Sequence, residues 1–194
     1  MNLNDFLADK PSDESQQKEP NKTTEIMQTL QVQHTTNSDS KIDWSFDPSV
    51  DPKKVFTKLK VLGKGGFGTV LQIVHRPTMK VLAGKLINPN LVDENTKEEI
   101  QHEIELMIEV DSDYTVHYYG SVIFEGSLMI LMEYCDRGSL RDLLDLREQV
   151  LSEDQISIIL HDVLKGLGLI HKLHRIVHRD IKAANILITT DAEI

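Results

Sequence analysis

About two thirds of the way along this chain, the spacing of apolar residues changes from strand-like runs to a helical period. Residues 61–62 end a first short apolar stretch, a glycine-rich turn follows, and residues 69–75 are β-rich. After the turn RPTMK comes a third apolar run at 81–87. Residues 114–124 and 128–133 read as two further strands, joined by a turn at Glu125, Gly126 and Ser127. Between the third and fourth runs lies DENTKEEIQHEIELMIEV, where Thr96 and Glu99 have capping-box spacing and Ile100, Ile104, Met107 and Ile108 recur on one helical face. After Asp136-Arg137-Gly138 the period is helical throughout. Ser139 with Asp142 predicts a short helix, and Ser152 with Gln155 a longer one bearing Ile156, Ile159, Leu160, Val163, Leu164, Leu167 and Ile170. The pattern predicts an α+β fold in which a small antiparallel sheet of five strands and one helix precedes a helical region.

Composition limits the partners. The 194 residues carry 31 acidic against 21 basic side chains, a formal charge of −10, which disfavours a general nucleic-acid or anionic-membrane surface. Cys135 is the single cysteine, so no intrachain disulfide can form, as suits a reducing compartment. No apolar run reaches the roughly eighteen residues of a spanning helix, the start MNLNDFLADKP lacks a signal-peptide pattern, and Asn2 stands where myristoylation needs glycine. A cytoplasmic protein is expected. Residues 1–43 are too polar to offset their ordering entropy, although residues 26–32 allow a transient helix or docking peptide. With Asp47, Pro48, Asp51 and Pro52 punctuating a connector, residues 1–54 are expected to be a disordered tail and linker, and 55–194 the folded part.

Three groups of residues carry chemistry. Gly63-Lys64-Gly65-Gly66-Phe67-Gly68 matches GxGxxG, and glycines let backbone N–H groups approach phosphate closely. Gly68 runs straight into TVLQIVH rather than opening a helix, so a hairpin lid over phosphates fits better than a dinucleotide-binding turn; a plain flexible turn is the alternative. Lys85 sits within the apolar run VLAGKLI and needs a partner, which Glu103 supplies from the inward side of the helix; the alternative is a strand-edge lysine facing water. The third group is His178-Arg179-Asp180-Ile181-Lys182-Ala183-Ala184-Asn185. Here a carboxylate can take a hydroxyl proton, a lysine can neutralise a phosphate in transfer, and an asparagine oxygen can bind Mg²⁺. A metal cluster of His161, His171, His174 and His178 is disfavoured because no HExxH or paired-cysteine spacing accompanies it. Cys135 reads as a small packed residue rather than a nucleophile.

In this order the glycine loop, the AGK lysine, the helical glutamate and HRDIKAAN resemble a eukaryotic protein kinase over residues 55–194. DSDYTVHYYGS, LMILMEYCDRGSL and HRDIKAANILI are most similar to the sterile-twenty-like Ser/Thr kinases of the germinal-centre and Hippo branch. The resemblance implies a small lobe at 55–132, a hinge at 133–138 and the start of a large lobe at 139–194. It implies that Gly63, Lys64, Gly65, Gly66, Gly68 and Val70 cover ATP, that Ala83 and Leu187 enclose adenine, and that Met132 is the gatekeeper beside the hinge residues Glu133 and Cys135. Lys85, paired with Glu103, would contact phosphates. Asp180 would be the catalytic base, Lys182 the phosphate-stabilising residue and Asn185 a Mg²⁺ ligand. The implied reaction moves the γ-phosphoryl group of MgATP to a Ser or Thr hydroxyl of a protein substrate.

After Asn185 the sequence ILITTDAEI predicts a β-hairpin, with Ala192 where such kinases often have glycine, and the DFG motif with its second metal ligand would follow further on. Little sequence follows the helix at 152–173 to cover its apolar stripe, so an exposed patch and a poorly preorganised catalytic loop are expected. The chain is thus expected to be a fragment or truncated gene model with impaired catalysis. The alternative is a short non-catalytic nucleotide-binding or decoy module that engages kinase partners.

Overall fold

The computed structural model describes residues 50–66, 68–146 and 150–190. The tail with its segment 26–32, Asp47, Pro48, Phe67 and Ala192 lie outside the described residues. Asp51, expected to punctuate a connector, instead caps a single helical turn, α1 (Pro52–Val55), by accepting the Lys53 N–H at 3.0 Å. Pro52 fits that first turn because its missing N–H would have had no partner there.

Five strands follow: β1 (Phe56–Lys64), β2 (Gly68–His75), β3 (Lys80–Ile87), β4 (Tyr118–Phe124) and β5 (Ser127–Glu133). They form one antiparallel sheet, as the five strand-like runs predicted, and its order is β1-β2-β3-β5-β4. The β4–β5 connection is a two-residue loop in which Glu125 and Gly126 both have left-handed φ, 53° and 77°. That turn matches the right-handed twist of the strands it joins. Both faces of the sheet are covered. On one, Leu71, Ile73, Leu82, Met129 and Leu131 pack with Val55, Phe56, Val122 and Phe124. On the other, Ile87, Leu128 and Ile130 pack against Ile100 and Ile104 of α2 (Glu94–Glu109). Each of these fully buried aliphatic side chains contributes about 2 kcal/mol relative to exposure.

Two boundaries differ from the sequence pattern. Helix α2 is capped by Asp93, whose Oδ1 accepts the Thr96 N–H at 2.8 Å, so Thr96 lies inside the first turn rather than at the cap. A carboxylate placed just before Glu94 satisfies the orphan donors earlier in the chain than Thr96 can. Likewise β4 begins at Tyr118, not at residue 114. Thr115 Oγ1 donates to the Val110 carbonyl at 2.7 Å and accepts the Ser112 N–H at 3.1 Å, drawing the backbone into a turn that competes with the ladder.

Beyond β5 the chain becomes helical. Before α3 (Leu140–Leu146), Ser139 and Asp142 exchange bonds as their spacing predicted: the Ser139 N–H donates to Asp142 Oδ2 at 2.9 Å and the Asp142 N–H to Ser139 Oγ at 3.1 Å. Ser152 and Gln155 form the predicted capping box of α4 (Glu153–Leu173). Ile156, Leu160 and Leu164, four residues apart along α4, are 42, 50 and 65 % exposed, so the apolar stripe faces outward. Gly166 is the buried residue of that helix, and an added Cβ there would lie 3.1 Å from Tyr114 Cβ.

The hairpin expected after Asn185 takes a different form in its described part. Residues 186–188 pair with residues 137–140 instead: Leu140 N–H donates to the Ile186 carbonyl at 2.8 Å, Arg137 N–H to Ile188 O at 3.1 Å, and Ile188 N–H to Gly138 O at 2.9 Å. A single bridge, Ser139 to Leu187, marks the register. The chain leaving the sheet offers unpaired backbone at the same level, and the segment after the 3₁₀ turn of residues 183–185 satisfies it.

Strand β2 approaches β3 so closely at Gly68 that a Cβ would stand 2.0 Å from the Leu86 carbonyl oxygen. Gly68→Ala is expected to cost about 2 kcal/mol or more of unfolding free energy, read by denaturant titration. Gly63→Ala, with nothing within 4 Å of the added carbon, should shift it by less than about 0.5 kcal/mol.

Candidate active site

Lys85 lies on β3, the central strand, with Val70 of β2 opposite on one side and Ile130 of β5 on the other. Ala83, two residues earlier, faces Gln72 and Met132 in the same way. Side chains directly opposite in an antiparallel ladder share a face, so Val70, Ala83, Lys85 and Met132 all project to one side of the sheet. This is the side that α2 covers. The Lys85 ammonium is answered there by Glu103, donating to Oε1 at 2.6 Å and Oε2 at 2.7 Å. Lysine on a largely covered strand face needs such a partner, and the helix phase that buries Ile100 and Ile104 brings Glu103 to the sheet. The strand-edge alternative is thereby corrected: the Lys85 side chain is only 20 % exposed.

The glycine turn connects β1 to β2 at the end of this face. Gly65 N–H donates to the Gly68 carbonyl at 2.8 Å, closing the turn. Gly63 and Gly66 have no atom within 4 Å of an added Cβ, and neither has a left-handed φ. Neither protein packing nor backbone conformation therefore requires glycine at these two positions. A cavity of about 410 Å³ near the turn is lined by Lys64, Thr69, Leu86, Asn88 and Leu91. Thr69 and Leu86 are paired and alternate with Val70 and Lys85, so this cavity opens on the opposite face from the ammonium.

One residue beyond Met132 the strand ends. Glu133 N–H donates to the His117 carbonyl at 2.9 Å, and the His117 N–H returns a bond to Glu133 Oε2 at 3.3 Å. Cys135 is half-buried, and burial, with Glu133 and Asp136 beside it, pushes its thiol up to about 11. It is a protonated, poorly nucleophilic thiol at neutral pH, in keeping with the packed reading. Asp136 was not singled out from the sequence. Its Oδ1 accepts the Thr190 N–H at 2.7 Å and its Oδ2 the Thr190 hydroxyl, and these bonds hold its carboxyl below the usual range. No local spacing signals a contact across 54 residues.

Asp180, Lys182 and Asn185 converge. Lys182 Nζ donates to Asp180 Oδ2 at 2.9 Å, and Asn185 Nδ2 donates to the same oxygen at 2.8 Å and to the Asp180 carbonyl at 2.9 Å. Lys182 first and Asn185 second hold the Asp180 carboxyl below the ordinary carboxylate value. Arg179, immediately before, has φ 62°, a left-handed conformation uncommon for a side chain of its size. With the Asn185 amide nitrogen committed to Asp180, its oxygen is the atom left for a hard cation, which suits magnesium. The histidines go elsewhere. His161 meets Asp162 at 3.1 Å, His174 meets Glu109 at 3.1 Å, and His178 Nδ1 accepts the Asp180 N–H at 3.3 Å. Among the described residues no three His, Cys, Asp or Glu side chains gather as a metal site.

The glycine turn, the Lys85–Glu103 pair on one sheet face, and the Asp-x-Lys-x-x-Asn loop just before a segment bonded to residues 137–140 stand together in this order in one domain. The Protein kinase domain family matches residues 56–194, and the chain belongs to that family. Among its relatives, the Serine/threonine-protein kinase hippo of Drosophila melanogaster is 45% identical over 140 residues, 72% of this chain and 20% of that protein. The Serine/threonine-protein kinase pakG of Dictyostelium discoideum is 45% identical over 161 residues, 83% of this chain and 13% of that protein. The chain thus spans a fifth or less of the length of these relatives.

Two outcomes follow from the titrating groups. Lys182→Ala should raise the Asp180 carboxyl toward its ordinary value, followed by ¹³C NMR of the side-chain carboxyl. The sign is fixed by the depression: the bonds from Lys182 and Asn185 favour the ionised form, are fully present above the ordinary carboxylate pKa and are lost as pH falls through the folded value. Cys135 should react slowly with iodoacetamide near about pH 8 and accelerate only towards about 11.

Proposed function

We propose that this domain binds MgATP between the glycine turn and the hinge and transfers the γ-phosphoryl group to a Ser or Thr hydroxyl of a protein. The observation that carries the reading is the bidentate Lys85–Glu103 pair on the same sheet face as Val70, Ala83 and Met132. Glu103 fixes the Lys85 ammonium at the α- and β-phosphates, Ala83 and Leu187 bracket the adenine, and Glu133 and Cys135 offer it backbone groups. Gly63, Lys64, Gly65, Gly66 and Gly68 cover the phosphates. The bare Cα atoms of Gly63 and Gly66, unneeded by the protein's own packing, support close approach of a ligand there.

Asp180 acts as the base. As the hydroxyl oxygen bonds to the γ-phosphorus, the bond from phosphorus to the β–γ bridging oxygen breaks, ADP departs with that electron pair, and the hydroxyl proton passes to an Asp180 oxygen. Its depressed pKa keeps that carboxylate ionised and able to orient the hydroxyl. Lys182 neutralises charge on the phosphoryl oxygens. Asn185 offers its amide oxygen to magnesium, which when bound spreads the phosphate charge. The sequence-level partition into a tail and connector (1–54), small lobe (55–132), hinge (133–138) and large-lobe start (139–194) goes with this reading, as does a cytoplasmic setting without nucleic-acid partners. No helix among the described residues is long and apolar enough to cross a membrane.

The test separates binding from chemistry. Lys85→Met should weaken binding of a fluorescent ATP analogue about tenfold or more. Asp180→Asn should leave that affinity within about twofold while lowering phosphotransfer to a Ser/Thr peptide by about 10²-fold or more. Unchanged phosphotransfer in both variants would overturn the assignment. Tight analogue binding with no transfer by the unsubstituted chain would favour a nucleotide-binding module without catalysis.

A further inference from the structure

Glu103 can meet Lys85 only if α2 is held at one tilt, and the far end of that helix has its own anchor. Glu109, its last residue, accepts a hydrogen bond from His174 Nδ1 at 3.1 Å. His174 is the C-cap residue of α4, 65 positions further along the chain. The contact therefore joins the helix that carries the lysine's partner to the helix that leads into the Asp180 loop. Two neighbouring contacts show that this junction has a defined geometry. Tyr114, in the connector after α2, lies against Gly166 of α4 so closely that an added Cβ would stand 3.1 Å from its own Cβ. His117, at the end of the same connector, meets Asp111 at 2.5 Å, accepts the Glu133 N–H at its carbonyl and donates its own N–H to Glu133 Oε2.

We propose that His174 and Glu109 are positioning residues for the nucleotide site: their bond pins the C-terminal end of α2 to α4 and thereby sets the Lys85–Glu103 pair. Neither residue is among those proposed to touch the nucleotide. Their effect passes along one rigid turn-and-a-half of helix from Glu109 to Glu103. A second element reinforces the geometry: Gly166 lets α4 approach the connector that a bulkier residue would hold away. This inference rests on the nucleotide-binding reading of Lys85, and the experiment below distinguishes the two.

On the full 194-residue chain, Glu109→Ala and His174→Ala should each weaken binding of the fluorescent ATP analogue by about two- to fivefold, the scale of a half-exposed ion pair. The double variant should be no weaker than either single one. His174→Gln, which keeps a donor, should restore most of the affinity. In a Glu103→Gln background, Glu109→Ala should produce no further loss, since the pair it positions is already broken. An equal loss in both backgrounds, or failure of His174→Gln to rescue, would overturn the proposal. Hydrogen exchange of the α2 amides from 103 to 109 provides a readout that needs no nucleotide, and it should quicken several-fold in Glu109→Ala and His174→Ala. If the unsubstituted chain binds no nucleotide, the reading of Lys85 fails while exchange still decides the anchor. Unchanged exchange in both variants overturns the anchor itself.

Discussion

An ammonium on the central strand of a covered sheet has to be answered by a carboxylate, and that requirement organises the first half of this molecule. Lys85 lies between Val70 and Ile130 in the ladder, where leaving it unpaired would carry the penalty of a desolvated charge. Glu103 meets it because α2 buries Ile100 and Ile104 against Ile87, Leu128 and Ile130, which fixes the rotation of the helix about its axis. The pair adds little to stability, about 1 kcal/mol or less at this exposure, but it determines where a positive charge stands. The apolar contacts hold the helix down, and the ion pair converts that packing into a positive charge fixed on one face of the sheet.

The second half is organised by backbone accounting. When the chain leaves β5 it exposes N–H and carbonyl groups that no strand pairs, and residues 186–188 satisfy three of these bonds across residues 137–140. Asp136 and Thr190 add a side-chain clasp at the end of the same ladder. Because Asp180, Lys182 and Asn185 are bonded to one another just before this segment, the loop that would handle the hydroxyl is tied to the hinge that would hold the base. The α2–β4 connector ties the same hinge to α4 through His117, Tyr114 and the His174–Glu109 bond. The two halves are thus linked by short polar contacts rather than by a single continuous core.

Much of this was legible in the sequence because it is local. The alternating runs announced the strands, the Ser152–Gln155 spacing announced its capping box, and the phase of Ile100 and Ile104 placed Glu103 beside Lys85. Illegible features depended on competition or on distance. Asp93 took the cap assigned to Thr96 because an earlier carboxylate reached the same donors. The hydroxyl of Thr115 turned residues 114–117 out of the strand their composition suggested. The hairpin read from ILITTDAEI was a pairing prediction from local composition, and the hinge offered its described residues a partner that composition cannot reveal. The clasp at Asp136 and the anchor at His174 share that property, joining residues 54 and 65 positions apart.

The central claim, that the paired ammonium of Lys85 stands at a nucleotide phosphate, is tested most directly by an acyl-phosphate derivative of ATP that acylates amines within reach of its phosphate chain. Peptide mass spectrometry of the labelled chain should find the acyl group on Lys85, with labelling suppressed by excess ATP but not by adenosine. Labelling confined to lysines on the other face or on the surface, such as Lys58 or Lys165, and insensitive to ATP, would contradict the account.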